Sequence, residues 1–172
     1  PMDFRSLVSV GEEFRIYSIG QSSTADNGIR AGTYISVNMS RLETVGEHFR
    51  FGNSHIASVD FSSLKNVDSY LSFDTLSLLV SPLLHFSSLE TVGGYLNMRK
   101  IRSANPAQFE ILMPSLQQVS GKTSGNAIYV YDVDASVLDL GGLERTSDGS
   151  IEISTNDHLR ELRLGGLREV AG

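Results

Sequence analysis

The chain contains no cysteine. This absence excludes disulfide bonds, thiolate metal sites and cysteine nucleophiles together. It leaves the compartment open, because secreted proteins need not carry disulfides. The sequence also lacks any run of about 18 apolar residues and any signal-peptide pattern at the N-terminus. We therefore expect no membrane insertion by this segment.

Basic residues are scarce. Fourteen lysines and arginines stand against 20 aspartates and glutamates, which gives a net charge of −6. Nucleic acids and anionic membranes require a concentrated basic surface, so neither is expected as a partner. With 172 residues and 40% apolar content, residues 1–172 are expected to form a single domain with its own core. Pro1 before Met2 has the form of a cloning remnant. Met2 is then either a natural start or the edge of a domain excised from a longer protein.

A leucine-based repeat is the dominant pattern. Seven times a leucine is followed three residues later by valine or threonine, at intervals of 35, 22, 25, 27, 27 and 24 residues. Self-similarity at such a period is typical of solenoids, in which each repeat contacts only its neighbours. The anchors are Leu7, Leu42, Leu64, Leu89, Leu116, Leu143 and Leu167.

Each repeat contains two short alternating triplets, such as Leu96-Asn97-Met98 and, later, Ile111-Leu112-Met113. Alternation predicts strands with one buried face. Three-residue strands in repeats of 22 to 27 residues do not suit hairpins. They favour a parallel β-helix of about six coils, stacked roughly 4.8 Å apart. The expected core includes Phe51, Phe73, Leu96 and Met98.

Four segments do not follow the simple repeat of strands. Residues 77–84 and 158–164 can also be written as short amphipathic helices, so short helical turns in the connections are an alternative to strands. Residues 18–33 form an extended loop by composition, and such loops often carry function. A second insertion, residues 100–108, is expected between the two strands of the fourth coil.

The segment Leu89 to Met98 resembles the receptor L domain, the leucine-rich β-helix of insulin and epidermal growth factor receptor ectodomains. Related repeats occur in fungal GPI-anchored wall proteins. The resemblance covers Leu7 to Gly172. It implies a right-handed solenoid that binds a ligand on a sheet face and has no catalytic role. It also implies an extracellular or cell-surface protein, whereas a natural start at Met2 would indicate the cytoplasm.

The residues between the apolar positions of the first triplets are expected to point outward and form one face. A further column is expected at its edge, formed by the residues two positions earlier: Glu13, His48, Tyr70, Tyr95, Ala127 and Ser150. Tyrosine and arginine on a rigid face are the residue types that supply binding hot spots. We therefore expect a recognition module for a protein or a glycan. The simpler interpretation is a solvated face on which Asp74 and Arg99 pair across adjacent coils. The candidate ligand-binding residues are Arg15, Tyr17, Arg50, Asp74, Tyr95, Asn97, Arg99, Tyr129 and Tyr131.

Two other functions compete with recognition. The first is a structural or self-assembling solenoid, for which end-to-end association at the C-terminal coil is expected, because an uncapped coil exposes pairing edges. The second is a polysaccharide lyase-type enzyme. Asp60 and Asp139 would lie roughly 14 Å apart across three coils. A glycosidase needs its carboxyls about 5 to 9.5 Å apart.

We therefore expect no enzyme and no cofactor. Histidine spacing builds no metal motif. Asp132, Asp134 and Asp139 remain an alternative calcium site.

Overall fold

The computed structural model describes residues 1–20, 33–79, 83–121 and 125–171. The chain is mainly β, with 50% of residues in strands and 2% helical, and its parallel sheets stack as a β-solenoid of about five turns. The parallel β-helix predicted from the repeat is confirmed. Part of the first coil, residues 21–32, lies outside the described ranges. No helix among the described residues is long and apolar enough to cross a membrane.

The first sheet is the longest and contains the first triplets. Parallel pairing joins its strands in the order β1-β4-β6-β8-β11-β14-β17, and β3 also pairs with β6. The strands are β1 (Met2–Asp3), β3 (Phe14–Tyr17), β4 (Ile35–Asn38), β6 (Phe49–Asp60), β8 (Leu71–Leu78), β11 (Leu96–Ser103), β14 (Asn126–Val133) and β17 (Ser150–Ser154).

Two further sheets complete each coil. The second sheet is formed by the residues that follow the leucine anchors, and the third by the second triplets of the later coils. The second sheet contains β2 (Ser9–Val10), β5 (Thr44–Val45), β7 (Asn66–Val67), β10 (Thr91–Val92), β13 (Gln118–Val119), β16 (Arg145–Thr146) and β19 (Glu169–Val170). The third contains β9 (Leu83–His85), β12 (Glu110–Leu112), β15 (Val137–Asp139) and β18 (Glu161–Arg163).

The strands of the first sheet are longer than the predicted triplets. Strands β8, β11 and β14 each have 8 residues and β6 has 12. Each passes through one residue in the left-handed region and then continues along the coil. Glycine normally marks such positions, but here all are other residues, so no glycine predicted these bends. These corner residues are Ser18, Asn53, Thr75, Lys100, Asp132 and Thr155, with φ between 46° and 58°.

The core consists of apolar columns that run along the solenoid. The four predicted core residues are buried, with exposures of 1% for Phe51 and 0% for Phe73, Leu96 and Met98. Rings pack across coils: Phe61 and Phe86 are stacked with centroids 4.8 Å apart. Because no coil can bury its apolar side chains alone, these contacts between neighbouring coils hold the fold together.

Serine side chains at the corners before Leu64, Leu89 and Leu116 tie successive coils together. The hydroxyl of Ser63 donates to the carbonyl of Ser40 at 2.6 Å, and that of Ser115 donates to the carbonyl of Ser87 at 2.7 Å. Just after the anchor Leu89, the backbones of neighbouring coils lie so close that only glycine fits. A β carbon at Gly93 would collide with the carbonyl oxygen of Asp68 on the preceding coil. Small residues in the repeat therefore set the coil spacing.

Several local expectations need correction. Residues 77–78, 83–85 and 161–163 are in strands, so the helical alternative is wrong for these described parts of the two segments. Lys100 to Ser103 belong to β11, and the inserted part is a shorter stretch that contains a 3₁₀ turn at Pro106–Gln108. Most of the 18–33 loop lies outside the described residues.

Candidate ligand-binding face

The outer face of the first sheet carries three columns of side chains across the coils. Backbone register fixes the first and second columns residue by residue. The first column is Arg15, Arg50, Ser72, Asn97, Tyr129 and Glu152. The second column is Tyr17, Gly52, Asp74, Arg99, Tyr131 and Ser154. We call Glu13, His48, Tyr70 and Tyr95, which lie two positions before the first column, the edge column.

Asp74 and Arg99 form a two-point ion pair at the middle of the second column. Nε of Arg99 donates to Oδ1 of Asp74 at 3.2 Å, and Nη2 donates to Oδ2 at 2.7 Å. The Thr75 hydroxyl also donates to Oδ1 at 2.9 Å. Burial acts to raise the pKa of Asp74, but these hydrogen bonds outweigh it and hold the pKa below its ordinary value. The expectation that the two residues pair across coils is confirmed.

Aromatic rings stand on either side of this pair. The ring of Tyr17 lies over Gly52 and is 41% exposed. Beyond Arg99, the ring of Tyr131 stacks against that of Tyr129 in the first column, with centroids 5.9 Å apart and planes 3° from parallel. The second column thus presents a ring, a charged pair and a second ring along the solenoid axis.

The edge column is an aromatic stack. The rings of His48 and Tyr70 are 3.9 Å apart, and those of Tyr70 and Tyr95 are 4.7 Å apart. The guanidinium of Arg50 lies 4.6 Å from the centroid of Tyr70, within cation–π range. Burial raises the pKa of Tyr95, although the charge of Arg50 opposes this shift. The tyrosines in this stack use their ring faces against one another.

Glu13 contacts two arginines at the start of the first column. Its carboxylate accepts hydrogen bonds from Arg15, with Nη2 to Oε1 at 2.8 Å. Nε of Arg50 approaches the same oxygen at 3.1 Å. The hydrogen bond from Arg15 chiefly lowers the pKa of Glu13, and the charge of Arg50 adds to this effect. One carboxylate therefore fixes the guanidinium groups of two coils.

Buried polar atoms without a hydrogen-bond partner concentrate in the edge column and at the neighbouring Arg50. Five buried side-chain atoms lack a hydrogen-bond partner among the described residues. Three of them belong to the stack: Nδ1 of His48, Nε of Arg50 and the hydroxyl of Tyr70, whose side chain is only 7% exposed. The contact of Arg50 Nε with Glu13 is therefore electrostatic rather than a hydrogen bond. Such atoms destabilise a fold and call for an explanation.

Charges on this face cancel. Three arginines (15, 50 and 99) stand against three carboxylates (Glu13, Asp74 and Glu152), so the net charge of −6 lies elsewhere on the chain. Glu152 is also engaged, since it accepts hydrogen bonds from Asn126 at 2.9 Å and Ser154 at 3.1 Å. The face is neutral within an acidic protein.

The carboxylates considered as a calcium site are instead bonded to arginine side chains. Arg102 donates to Asp132 Oδ2 at 2.7 Å and to Asp134 Oδ1 at 3.3 Å. Arg163 donates to Asp139 Oδ2 at 2.9 Å. Among the residues that the structure describes, no group of three or more His, Cys, Asp or Glu side chains is placed to hold a metal ion. The structure therefore does not bring Asp132, Asp134 and Asp139 together as the calcium alternative requires.

Eight of the nine candidate residues lie in the first and second columns, and Tyr95 lies in the edge column. Asn97 donates to Ser72 at 2.9 Å and so joins the first column internally. One expected position was wrong: Ala127 is fully buried at a register shift, and Asn126 pairs with Ser150 instead.

Sequence reasoning did not select Glu13, His48, Tyr70 or Gly52 as part of the site. The first three were in the expected edge column, and their spacing was the signal that could have found them. Gly52 was in the second column, where its missing side chain gave no reason to expect a role.

Comparison with protein-family models, curated proteins and solved structures gives no match for this chain. The class defined by the fold is a parallel β-solenoid.

Proposed function

We propose that the chain is a non-catalytic recognition module, related to the receptor L domain, that binds its ligand through the outer face of the first sheet. The distribution of tyrosine carries this proposal. Five of the six tyrosines lie in the three columns of one face. Tyrosine is enriched at binding hot spots because it supplies a large contact area together with a polar group.

Comparison with the other two faces supports this choice. The second sheet turns Thr44, Asn66, Thr91, Gln118 and Arg145 outward, without an aromatic residue. The third sheet has a mixed set, including His85, Leu112, Asp139 and Arg163. Neither set contains a tyrosine.

Rigidity is a second support. Side chains of the first and second columns are fixed by bonds between coils, such as Asp74 with Arg99 and Ser72 with Asn97. Groups that are already ordered lose little entropy on binding, so more of the contact energy appears as affinity. As a member of the L-domain type, the protein is expected at the cell surface or outside the cell, as part of a larger protein.

A triple variant tests the face. The probe is an array that carries purified extracellular protein domains and soluble polysaccharides, and any ligand it finds is then titrated against the variants. The combined substitution Arg99→Ala, Tyr129→Ala and Tyr131→Ala is expected to lower affinity by about thirtyfold or more. Each single change should alter stability by no more than about 1 kcal/mol, because these side chains face solvent.

The matched control lies on the second sheet. Thr91→Ala, Gln118→Ala and Arg145→Ala alter three adjacent coils on a different face and should leave affinity unchanged. Unchanged binding by the folded first-sheet variant would rule this face out. It would direct attention to residues 18–33, most of which lie outside the described residues.

A further inference from the structure

We infer that the ligand of this face is an uncharged, hydroxyl-rich chain, a neutral glycan, which lies along the solenoid axis over the second column. The inference rests on the proposed function and adds the chemical class of the ligand. Its starting point is that all three carboxylates of the face are engaged by the protein's own donors: Glu13 by arginines, Asp74 by Arg99, and Glu152 by Asn126 and Ser154.

A charged ligand is disfavoured by this arrangement. A cationic group would have to displace an arginine that is already bonded, for example Arg99 from Asp74. An anionic group would meet a face with no net charge on a chain of net charge −6, so long-range attraction is absent. An uncharged ligand displaces no arginine from its carboxylate and does not depend on long-range attraction.

The Asp74–Arg99 pair can form hydrogen bonds with the hydroxyl groups of a ligand. Two-point pairing uses Nε and Nη2 of Arg99, and the guanidinium carries further N–H donors. Oδ2 of Asp74 accepts one of these bonds and keeps a second lone pair. Both side chains reach solvent, at 27% exposure for Asp74 and 46% for Arg99. A hydroxyl both donates and accepts, so neighbouring hydroxyls of a sugar can bond to the acceptor and the donor together.

The rings of Tyr17 and Tyr131, on either side of the charged pair, suit a glycan chain rather than a single sugar. Tyr17 lies over Gly52 on the second coil, and Tyr131 is on the fifth coil. With roughly 4.8 Å between coils, the two rings are separated by about 14 Å, and the charged pair lies between them. Rings supply apolar contact area, while their hydroxyls add hydrogen bonds. Along the solenoid axis, the second column therefore offers an apolar contact at Tyr17, a polar contact at the Asp74–Arg99 pair and a second apolar contact at Tyr131.

A protein partner fits less well. The cores of protein–protein interfaces are more apolar than the surrounding surface. Among the described residues the exposed large hydrophobic side chains are Val8, Tyr17, Leu79, Leu162 and Val170, and only Tyr17 belongs to the three columns. The face has tyrosine and polar side chains but no exposed aliphatic centre.

Titration with defined polysaccharides tests the inference. The neutral probes are soluble β-1,3-glucan, xyloglucan and galactomannan, and polygalacturonate is the charged comparator. The chain contains six tyrosines and no tryptophan, so intrinsic fluorescence reports tyrosine directly. We expect at least one neutral probe to bind, with similar affinity at about 0.05 M and about 0.5 M NaCl, because no ion pair forms across the interface.

Three variants of the second column and one matched control locate the binding. Arg99→Ala and Tyr131→Ala should each weaken binding at least about tenfold. Tyr131→Phe keeps the ring and should weaken binding less. The control is Arg163→Ala, which breaks the inter-coil pair of Arg163 with Asp139 on the third sheet and should change affinity less than about twofold.

Each other outcome overturns the inference. Failure of every neutral probe to bind, salt-sensitive binding of polygalacturonate alone, or equal losses in Arg99→Ala and Arg163→Ala would do so. A protein ligand whose affinity falls in the triple variant, with no glycan bound, would overturn the glycan assignment and leave the proposed function intact.

Discussion

The ring of Tyr17 lies over the backbone of Gly52, its paired residue on the next coil. A β carbon at Gly52 would come within 2.9 Å of Cε1 of this ring and within 2.9 Å of the carbonyl oxygen of Asp74. Real β carbons essentially never make such contacts, so a side chain at this position would force a shift. The missing side chain on the second coil thus gives the first-coil tyrosine its position on the face.

Gly52→Ala should therefore destabilise the protein. Overpacking of this kind typically costs about 1 to 3 kcal/mol, and the Asp74 carbonyl cannot move away without disturbing the strand. Urea denaturation measures the loss in the free energy of unfolding. Gly165→Ala is the control, since nothing lies within 4 Å of a β carbon there. Equal stability of the two variants would contradict the packing described for Tyr17.

Leu96→Ala tests the core. The side chain is fully buried in the fourth coil, and truncation of a buried leucine costs about 2 to 5 kcal/mol. Leu162→Ala provides the comparison, because Leu162 is a strand residue that is 43% exposed and should lose far less. Thermal or urea unfolding of both variants gives the difference. A loss below about 0.5 kcal/mol for Leu96→Ala would mean that the register is wrong.

Asp74→Asn should make stability less dependent on pH at the acidic end. The pKa of Asp74 is lower in the folded protein than its ordinary value of about 3.9. Its carboxylate therefore stabilises the fold above about pH 4, and this contribution is lost as pH falls through the lower folded-state pKa.

Because the pair is partly exposed, the difference between wild type and Asp74→Asn at pH 7 should not exceed about 1 kcal/mol. Urea midpoints of both proteins, measured from pH 7 downwards, should converge below about pH 4. A constant difference across this range would show that the ion pair with Arg99 does not contribute to stability.

Thr155→Asn should stabilise the last corner. Thr155 is exposed and has φ of 56°, a region that disfavours β-branched residues and is several-fold enriched in asparagine. The gain should be up to about 1 kcal/mol, a part of the roughly 1 to 3 kcal/mol that a non-glycine residue in this region costs. Thr44→Asn is the control, because Thr44 lies in a strand without positive φ, where threonine is the better residue. A gain at Thr44 as large as that at Thr155 would refute the conformational explanation.

The sequence predicted the coil register but not the shape of each coil. Alternation of apolar residues was enough to align Asp74 with Arg99 and Arg99 with Tyr131, because stacked parallel strands repeat with a fixed side-chain period of two. The length of the first-sheet strands was missed because the bend residues, Thr75 and Lys100 among them, are not glycines.

Side-chain conformations in the candidate site were the other part that the sequence could not supply. The edge column was expected from spacing, but the stacking of His48 on Tyr70 depends on rotamers and on Arg50. Likewise, the sharing of Glu13 by two arginines follows from side-chain reach across coils rather than from any local motif.

The serine hydroxyls that join successive corners have a consequence for how such a chain can change. The bonds from Ser63 to Ser40, from Ser87 to Ser62 and from Ser115 to Ser87 join four successive corners by the same kind of contact. A coil from this part of the chain can then be duplicated, deleted or exchanged with the same corner chemistry at the new junction. Each such exchange would replace the residues of one coil in all three columns together, so the proposed binding face would change coil by coil.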